Sequence, residues 1–245
     1  MRKTIFLAAI LSIVGLLSCG PSETKQETAS AASPASSAGK YTLVLLKTGP
    51  KSGQLSEGAN SEAFAGHFSN MIRMAQEHKL VLAGPYGEKK HDPLLRGLFV
   101  INSDQRSQAT EWASTDPTTR AGVFELEYHD FKTDAPLVAM LDAVLARDEK
   151  AKAEGRTPSP GDGARSYVIL NSSQGDVAQS RLKAVGSAGG VLLIARVDDY
   201  QVFAVLDAKN VAEAQEKFAS VLDSIGDCQL DDWYATDILA KQSER

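Results

Sequence analysis

Leu98-Phe99-Val100-Ile101 returns later in the chain as Phe203-Ala204-Val205-Leu206. Each is a short, wholly apolar run, the pattern of a strand buried on both faces. The surroundings return with it. Ala109 and Glu111 fall on Ala214 and Glu216 at the same offset, and Tyr128-His129 falls on Trp233-Tyr234. Upstream of the first copy, Thr42 to Lys47 reads as a strand, broken by Gly49-Pro50-Lys51-Ser52-Gly53. Phe64, Phe68, Met71 and Ala75 then recur at helical spacing between Ser61 and Lys79. Leu80-Val81-Leu82-Ala83 is a strand stopped by Gly84-Pro85. Asn102 or Ser103 can cap a helix that runs to Thr115, and Val123 to Phe131 is a further strand. The order is β-α-β-β-α-β, a ferredoxin-like unit.

The second copy keeps this order. Strands are expected at Tyr167–Leu170, Val191–Ala195, Val202–Leu206 and Cys228–Trp233, with helices at Asp176–Ser187 and Val211–Leu222. Between the copies, Pro136 opens an amphipathic helix with Leu137, Met140, Leu141, Val144 and Leu145 on one stripe. It decays into a Gly- and Pro-rich linker from Gly155 to Gly163. A β-α-β-β-α-β unit covers one sheet face with helices and leaves the other bare. Two such sheets can bury both bare faces against each other. The expected fold is therefore α+β, with two ferredoxin-like repeats (41–133 and 165–240) packed sheet to sheet as a barrel within one chain. Residues 134–164 form the helix and linker between them.

The first residues read differently. Arg2 and Lys3 precede an apolar run from Ile5 to Leu17, followed by Ser18-Cys19-Gly20. A charged start, a short apolar run and a small residue at the cut describe a secretory signal peptide, here 1–18. The run is too short for a retained membrane span. Its ending resembles the bacterial lipobox, which implies that Cys19 becomes the lipidated first residue of the mature protein. Residues 19–40 are mostly Ser, Ala, Thr, Glu and Pro without apolar periodicity and read as a disordered tether. The expected location is the bacterial cell envelope, with acyl chains on Cys19 as the membrane anchor. Gly20 in place of an aspartate favours the outer membrane over the inner.

Composition narrows the rest. The 245 residues are 43% hydrophobic and 23% charged, ordinary for a globular protein. Net charge is −5, and loss of Arg2 and Lys3 with the leader makes the remainder more acidic. An acidic chain without a basic stripe is a poor partner for nucleic acid. Of two cysteines, Cys228 is left alone once Cys19 is lipidated, so neither a disulfide nor a cysteine-rich metal site is expected. No cofactor is called for.

Residues 41 to 133 resemble the YciI-like (YCII-related) domain of the dimeric α/β-barrel superfamily. The resemblance rests on His67 in the first helix, on Leu80-Val81-Leu82-Ala83-Gly84-Pro85, and on Asp116-Pro117 followed by Gly122. It implies paired sheets and an active-site pair of His67 and Asp116. Some relatives act on muconolactone-type or chlorinated ring-cleavage products. The second copy departs from the pattern. Ala178 stands near where His67 does, Val221 stands for Asp116, and Arg196 follows Ala195 where Gly-Pro would be.

Topology independently brings the start of the first helix and the end of the second to one rim. His67 and Asp116 are expected there, with the loop from Gly49 to Gly58, the Gly84-Pro85 turn, and Arg120. A histidine beside a carboxylate can act as general acid or base. That suits proton abstraction next to a carbonyl, lactone opening or isomerisation. Gly84, Pro85 and Arg120 would bind the substrate, with Arg120 pairing a carboxylate. Blander roles fit the same residues. His67 lies between Phe64 and Met71 and suits a hydrogen-bonded core position; Asp116-Pro117 is also an ordinary turn signal. Three readings therefore stand: an isomerase, lyase or hydrolase acting on a small molecule, a non-catalytic envelope lipoprotein that binds a ligand or a protein, or a structural envelope lipoprotein with no site. The pseudo-dimer lies within one chain, and a homo-oligomer is left open. His78, His91 and His129 lack metal-ligand spacing.

Overall fold

The computed structural model describes residues 39–158 and 161–241. The leader, Cys19 and nearly all of the tether lie outside the described residues. The exceptions are Gly39 and Lys40, which belong to the first strand.

Strand β1 (Gly39–Thr48) leads to helix α1 (Glu57–Gln76), β2 (Leu80–Pro85), β3 (Leu95–Ile101), α2 (Arg106–Ala113), α3 (Pro117–Arg120) and β4 (Phe124–Thr133). Helix α4 (Leu137–Ala153) crosses to β5 (Ala164–Ser172), α5 (Gly175–Val185), β6 (Val191–Val197), β7 (Gln201–Leu206), α6 (Val211–Lys217), α7 (Ala219–Ile225), β8 (Gln229–Thr236) and α8 (Ile238–Lys241). The helix expected over Val211–Leu222 is two helices, broken at Phe218, whose φ of −110° leaves the helical range. Asp116-Pro117, read as a turn, opens α3, with Asp116 as its cap.

The strands form one eight-stranded antiparallel sheet in the order β2-β3-β1-β4-β6-β7-β5-β8. The fold is thus α+β around a nearly closed barrel. Two separate sheets laid face to face were expected; instead the halves also join at their edges. Phe131 to Thr133 of β4 pair with Ala195 to Val197 of β6. On the far side Tyr86 bridges Trp233, and the Gly87 N–H donates to the Asp232 carbonyl at 2.7 Å. Edge pairing satisfies backbone groups that two free sheets would leave exposed.

Within each half the strands follow the same order, and the halves share an irregularity. Ile101 faces Leu80 and Val100 faces Leu82, skipping Val81; Leu206 faces Val191 and Val205 faces Leu193, skipping Leu192. The correspondence between Leu98–Ile101 and Phe203–Leu206 is thus matched by strand register.

Alternation along β1 shows how both sheet faces become buried. Tyr41 and Leu43 point into the barrel with Phe131, Tyr167, Phe203 and Trp233. Val44 and Leu46 point outward beneath α1 and α2, with Met74, Phe99 and Ile101. A third cluster, including Val168, Leu170 and Leu182, lies under the helices of the second half. Residues Leu137, Met140 and Leu141 of α4 join the barrel cluster. Each such side chain buried contributes roughly 1.5–3 kcal/mol. Among the described residues no helix is long and apolar enough to cross a membrane.

Candidate active site

His67 sits in the middle of α1. The buried residues of that helix are Ala63, His67, Asn70 and Met74, one stripe at helical spacing. The apolar residues that predict the helix are turned to one side of this stripe. Phe64 and Phe68 line a cleft of ≈ 710 Å³, with Phe68 45% exposed, and Met71 borders the same cleft while packing against the core beneath α1.

Asp116 comes to His67 because α3 lies directly against α1. Gly66 permits this: a Cβ there would stand 2.8 Å from Pro117 Cγ. On the other flank Thr115 Oγ1 donates to Asn70 Oδ1 of α1 at 3.0 Å. The residues either side of Asp116 are therefore both held to α1. Its carboxylate, 1% exposed, puts Oδ2 2.7 Å from His67 Nδ1. Oδ1 accepts from the Thr118 backbone N–H at 2.9 Å and from the Thr118 hydroxyl. Burial pushes this carboxyl up, but the bonds from His67 and Thr118 outweigh it and hold it below the usual 3.8.

An ionised carboxylate only accepts hydrogen bonds, so Nδ1 of His67 carries the proton it shares with Asp116. In the neutral ring Nε2 then bears the lone pair. No described residue bonds to Nε2, and the ring lines the cleft. The imidazole stacks on Phe99, with centroids 5.8 Å apart at 19°, and meets Phe64, Phe68 and Phe124 edge-on. Packing and Asp116 together fix its orientation. Such an oriented, one-sided imidazole is equipped to accept a proton from a molecule in the cleft.

The other residues singled out in the sequence divide. Gly84 and Pro85 line the cleft, as do Ser52, Gly53 and Leu55 of the loop after β1. The need for glycine at 84 has another origin. A Cβ there would lie 1.9 Å from the Tyr234 carbonyl oxygen, so Gly84 lets β8 close on β2. Arg120 does not belong to the cleft wall. It ends α3, and its Nε donates to the Ser114 carbonyl at 3.3 Å. The arginine that does line the cleft is Arg96 of β3. Sequence reasoning missed Arg96, Gly66, Phe99 and Thr118. Only Thr118, two residues after an Asp-Pro cap, left a local signal.

The remaining histidines each meet a carboxylate. His78 Nε2 is 2.8 Å from Asp142, and His91 sets its backbone N–H and Nδ1 on Asp231. His129 lies between Asp198 and Glu127. His91, His129, Lys47, Asp92 and Glu127 border a polar hollow of ≈ 210 Å³ at one mouth of the barrel. Among the described residues no three His, Cys, Asp or Glu side chains converge as a metal site. Cys228 is a free thiol, pushed up by burial and by Asp227. In the second half Ala178 is fully buried among apolar side chains.

No family model matches the chain. The uncharacterized protein YjpA of Bacillus subtilis (strain 168) is 30% identical over 92 residues, 38% of this chain and 93% of that protein. The chain belongs to the family that includes YjpA. Among solved structures, aspartate kinase from Synechocystis is similar with a TM-score of 0.31 at 13% identity. That match covers 80% of this chain and 43% of the kinase chain, a likeness too slight to carry any argument.

Proposed function

We propose that this protein is a YciI-like acid/base catalyst acting on a small molecule, with His67 as proton acceptor and Asp116 as its orienting partner. The observation that carries this reading is the 2.7 Å contact between His67 Nδ1 and Asp116 Oδ2 behind an imidazole that faces the cleft. Nε2 takes a proton from carbon next to a carbonyl. The imidazolium stays paired with the ionised Asp116 and returns its proton at another atom. An isomerisation, or a lyase or lactone-type reaction, follows from where the proton returns.

The halves are read as two ferredoxin-like repeats forming an intrachain dimeric α/β barrel. Their common strand order and matched skipped residues support this. Only the leading repeat carries the pair. The lipobox-like Leu16-Leu17-Ser18-Cys19 supports an envelope protein anchored by lipid on Cys19. A mass increment of acyl chains on the mature protein, lost in Cys19→Ser, tests the lipid attachment.

Catalysis is tested by proton exchange. Small lactones and carbonyl compounds are incubated in deuterated water with the wild type, His67→Ala and Asp116→Asn, and exchange or isomerisation is followed by NMR. Wild type accelerates at least one class. His67→Ala abolishes the acceleration, and Asp116→Asn lowers it by about 10²-fold or more. Binding that survives both changes, with no acceleration by any variant, rejects catalysis in favour of a ligand-binding lipoprotein.

A further inference from the structure

The cleft beside His67 holds a cation that acid/base chemistry does not use. Arg96 lines the cleft and makes no ion pair with any described residue. Its Nε donates to Thr48 Oγ1 at 2.7 Å, and that hydroxyl donates to the Leu94 carbonyl at 3.2 Å. The guanidinium is tethered at one nitrogen, and its two terminal nitrogens have no described acceptor. Glu57, in the first turn of α1, is the acidic residue of the cleft wall and makes no ion pair with Arg96.

The backbone is built to put Arg96 there. Opposite β3, Leu46 faces Gly97 and the next residue, Lys47, faces Leu95. Arg96 is the extra residue of a β-bulge. On an unbroken strand it would share a face with Leu98 and enter the barrel. The bulge lets Leu95 and Leu98 both fill the barrel cluster while Arg96 joins Phe99 on the cleft wall. In the second half the β5–β7 pairing ends at Ser172 and Val202, the counterparts of Leu46 and Gly97. In the half that carries His67 and Asp116 the pairing continues through the bulge to Lys47 and Leu95, and the bulge re-aims a cation toward the cleft.

A guanidinium with two free nitrogens matches the fork of a carboxylate. The wall around it is Phe64, Phe68, Met71 and Phe124, which suits a flat apolar body. We propose that the cleft takes a small aryl-type carboxylate, its charged end held by Arg96 and its body against these rings. Calling that molecule the substrate rests on the acid/base reading above. Arg96 thus takes the role the sequence suggested for Arg120.

The test is calorimetric titration of the full chain with phenylacetate and with phenylacetamide, which has the same shape without the charge. Phenylacetate binds about ten-fold more tightly or better. Arg96→Gln lowers phenylacetate affinity to that of the amide and leaves the amide unchanged. Arg96→Lys keeps some of the preference, and Arg120→Gln keeps all of it. Arg96 is exposed, so the variants melt with the wild type. Equal affinity for the two compounds, no binding of either, or a preference that survives Arg96→Gln overturns the proposal. A carboxylate preference that Arg96→Gln removes, without His67-dependent proton transfer on any compound, supports the anchor and overturns catalysis alone. His67-dependent turnover indifferent to Arg96→Gln overturns the anchor alone.

Discussion

Pro117 sits so near Gly66 that the smallest side chain there would come within 2.8 Å of its ring. This contact sets the spacing of α3 from α1, and with it the His67–Asp116 bond. Gly66→Ala brings two opposed effects. Replacing a mid-helix glycine favours the helix by roughly 0.5–1 kcal/mol. Pushing a rigid ring aside costs about 1–3 kcal/mol. The expected net is a loss of about 0–2.5 kcal/mol, while His67-dependent proton exchange falls by about ten-fold or more as the pair separates. Melting curves and exchange rates on the same sample check this; exchange that stays at the wild-type rate would reject it.

Asp116 predicts an acid-side dependence of stability. Its folded carboxyl lies below the usual 3.8. The stabilisation it brings is therefore complete above that value and is lost as pH falls through the lower, folded value. Asp116→Asn keeps a capping oxygen for Thr118 but loses the charge. It should be less stable than wild type by about 1–3 kcal/mol near neutral pH. The gap should close in strong acid. Denaturant titrations across the acid range measure it, and a constant gap would show that the charge contributes nothing.

Thr118 is fully buried, and its hydroxyl serves Asp116 alone among the described residues. Thr118→Val keeps the shape and the backbone donor while removing the hydroxyl. The expected cost is about 1–2 kcal/mol, together with an upward movement of the Asp116 titration visible by carboxyl-carbon NMR. An unmoved Asp116 would mean that the backbone N–H alone sets Oδ1.

Gly84→Ala should open the join between β2 and β8. Its Cβ would meet the backbone oxygen of Tyr234 and, at 2.9 Å, the Trp233 indole nitrogen. Neither can yield without moving a strand. A loss near or above the ~3 kcal/mol top of the overpacking range is expected, with greater exposure of the wholly buried Trp233 seen as a red-shifted emission. A stable variant with unchanged emission would show that the closure tolerates a side chain.

Periodicity made most of this fold legible. The apolar runs at Leu80, Leu98 and Phe203 read directly as strands because both of their faces are buried, while the run at Val191 alternates between buried and half-buried residues. The joined edges were not legible, since backbone pairing between Phe131–Thr133 and Ala195–Val197 leaves no trace in side-chain pattern. The site shows the same division. His67 and Asp116 carry recognisable neighbours, but His67 stands in the middle of α1 rather than at the helix start that the topology argument used, and it is the packing of α3 on α1 that joins the pair. Arg96 stayed hidden because one inserted residue reverses the face to which it points, and alternation cannot register a bulge that its own sequence does not announce. Arg120 looked suitable by position, yet the helix it ends turns its guanidinium back to Ser114.

Because β4 with β6, and β2 with β8, are sewn together inside one polypeptide, the barrel has no subunits to lose. Dilution, which pulls a dimer of separate chains toward free monomers, has no such hold on these halves. The trailing half is accordingly held in place as a wall against which the leading half keeps its shape.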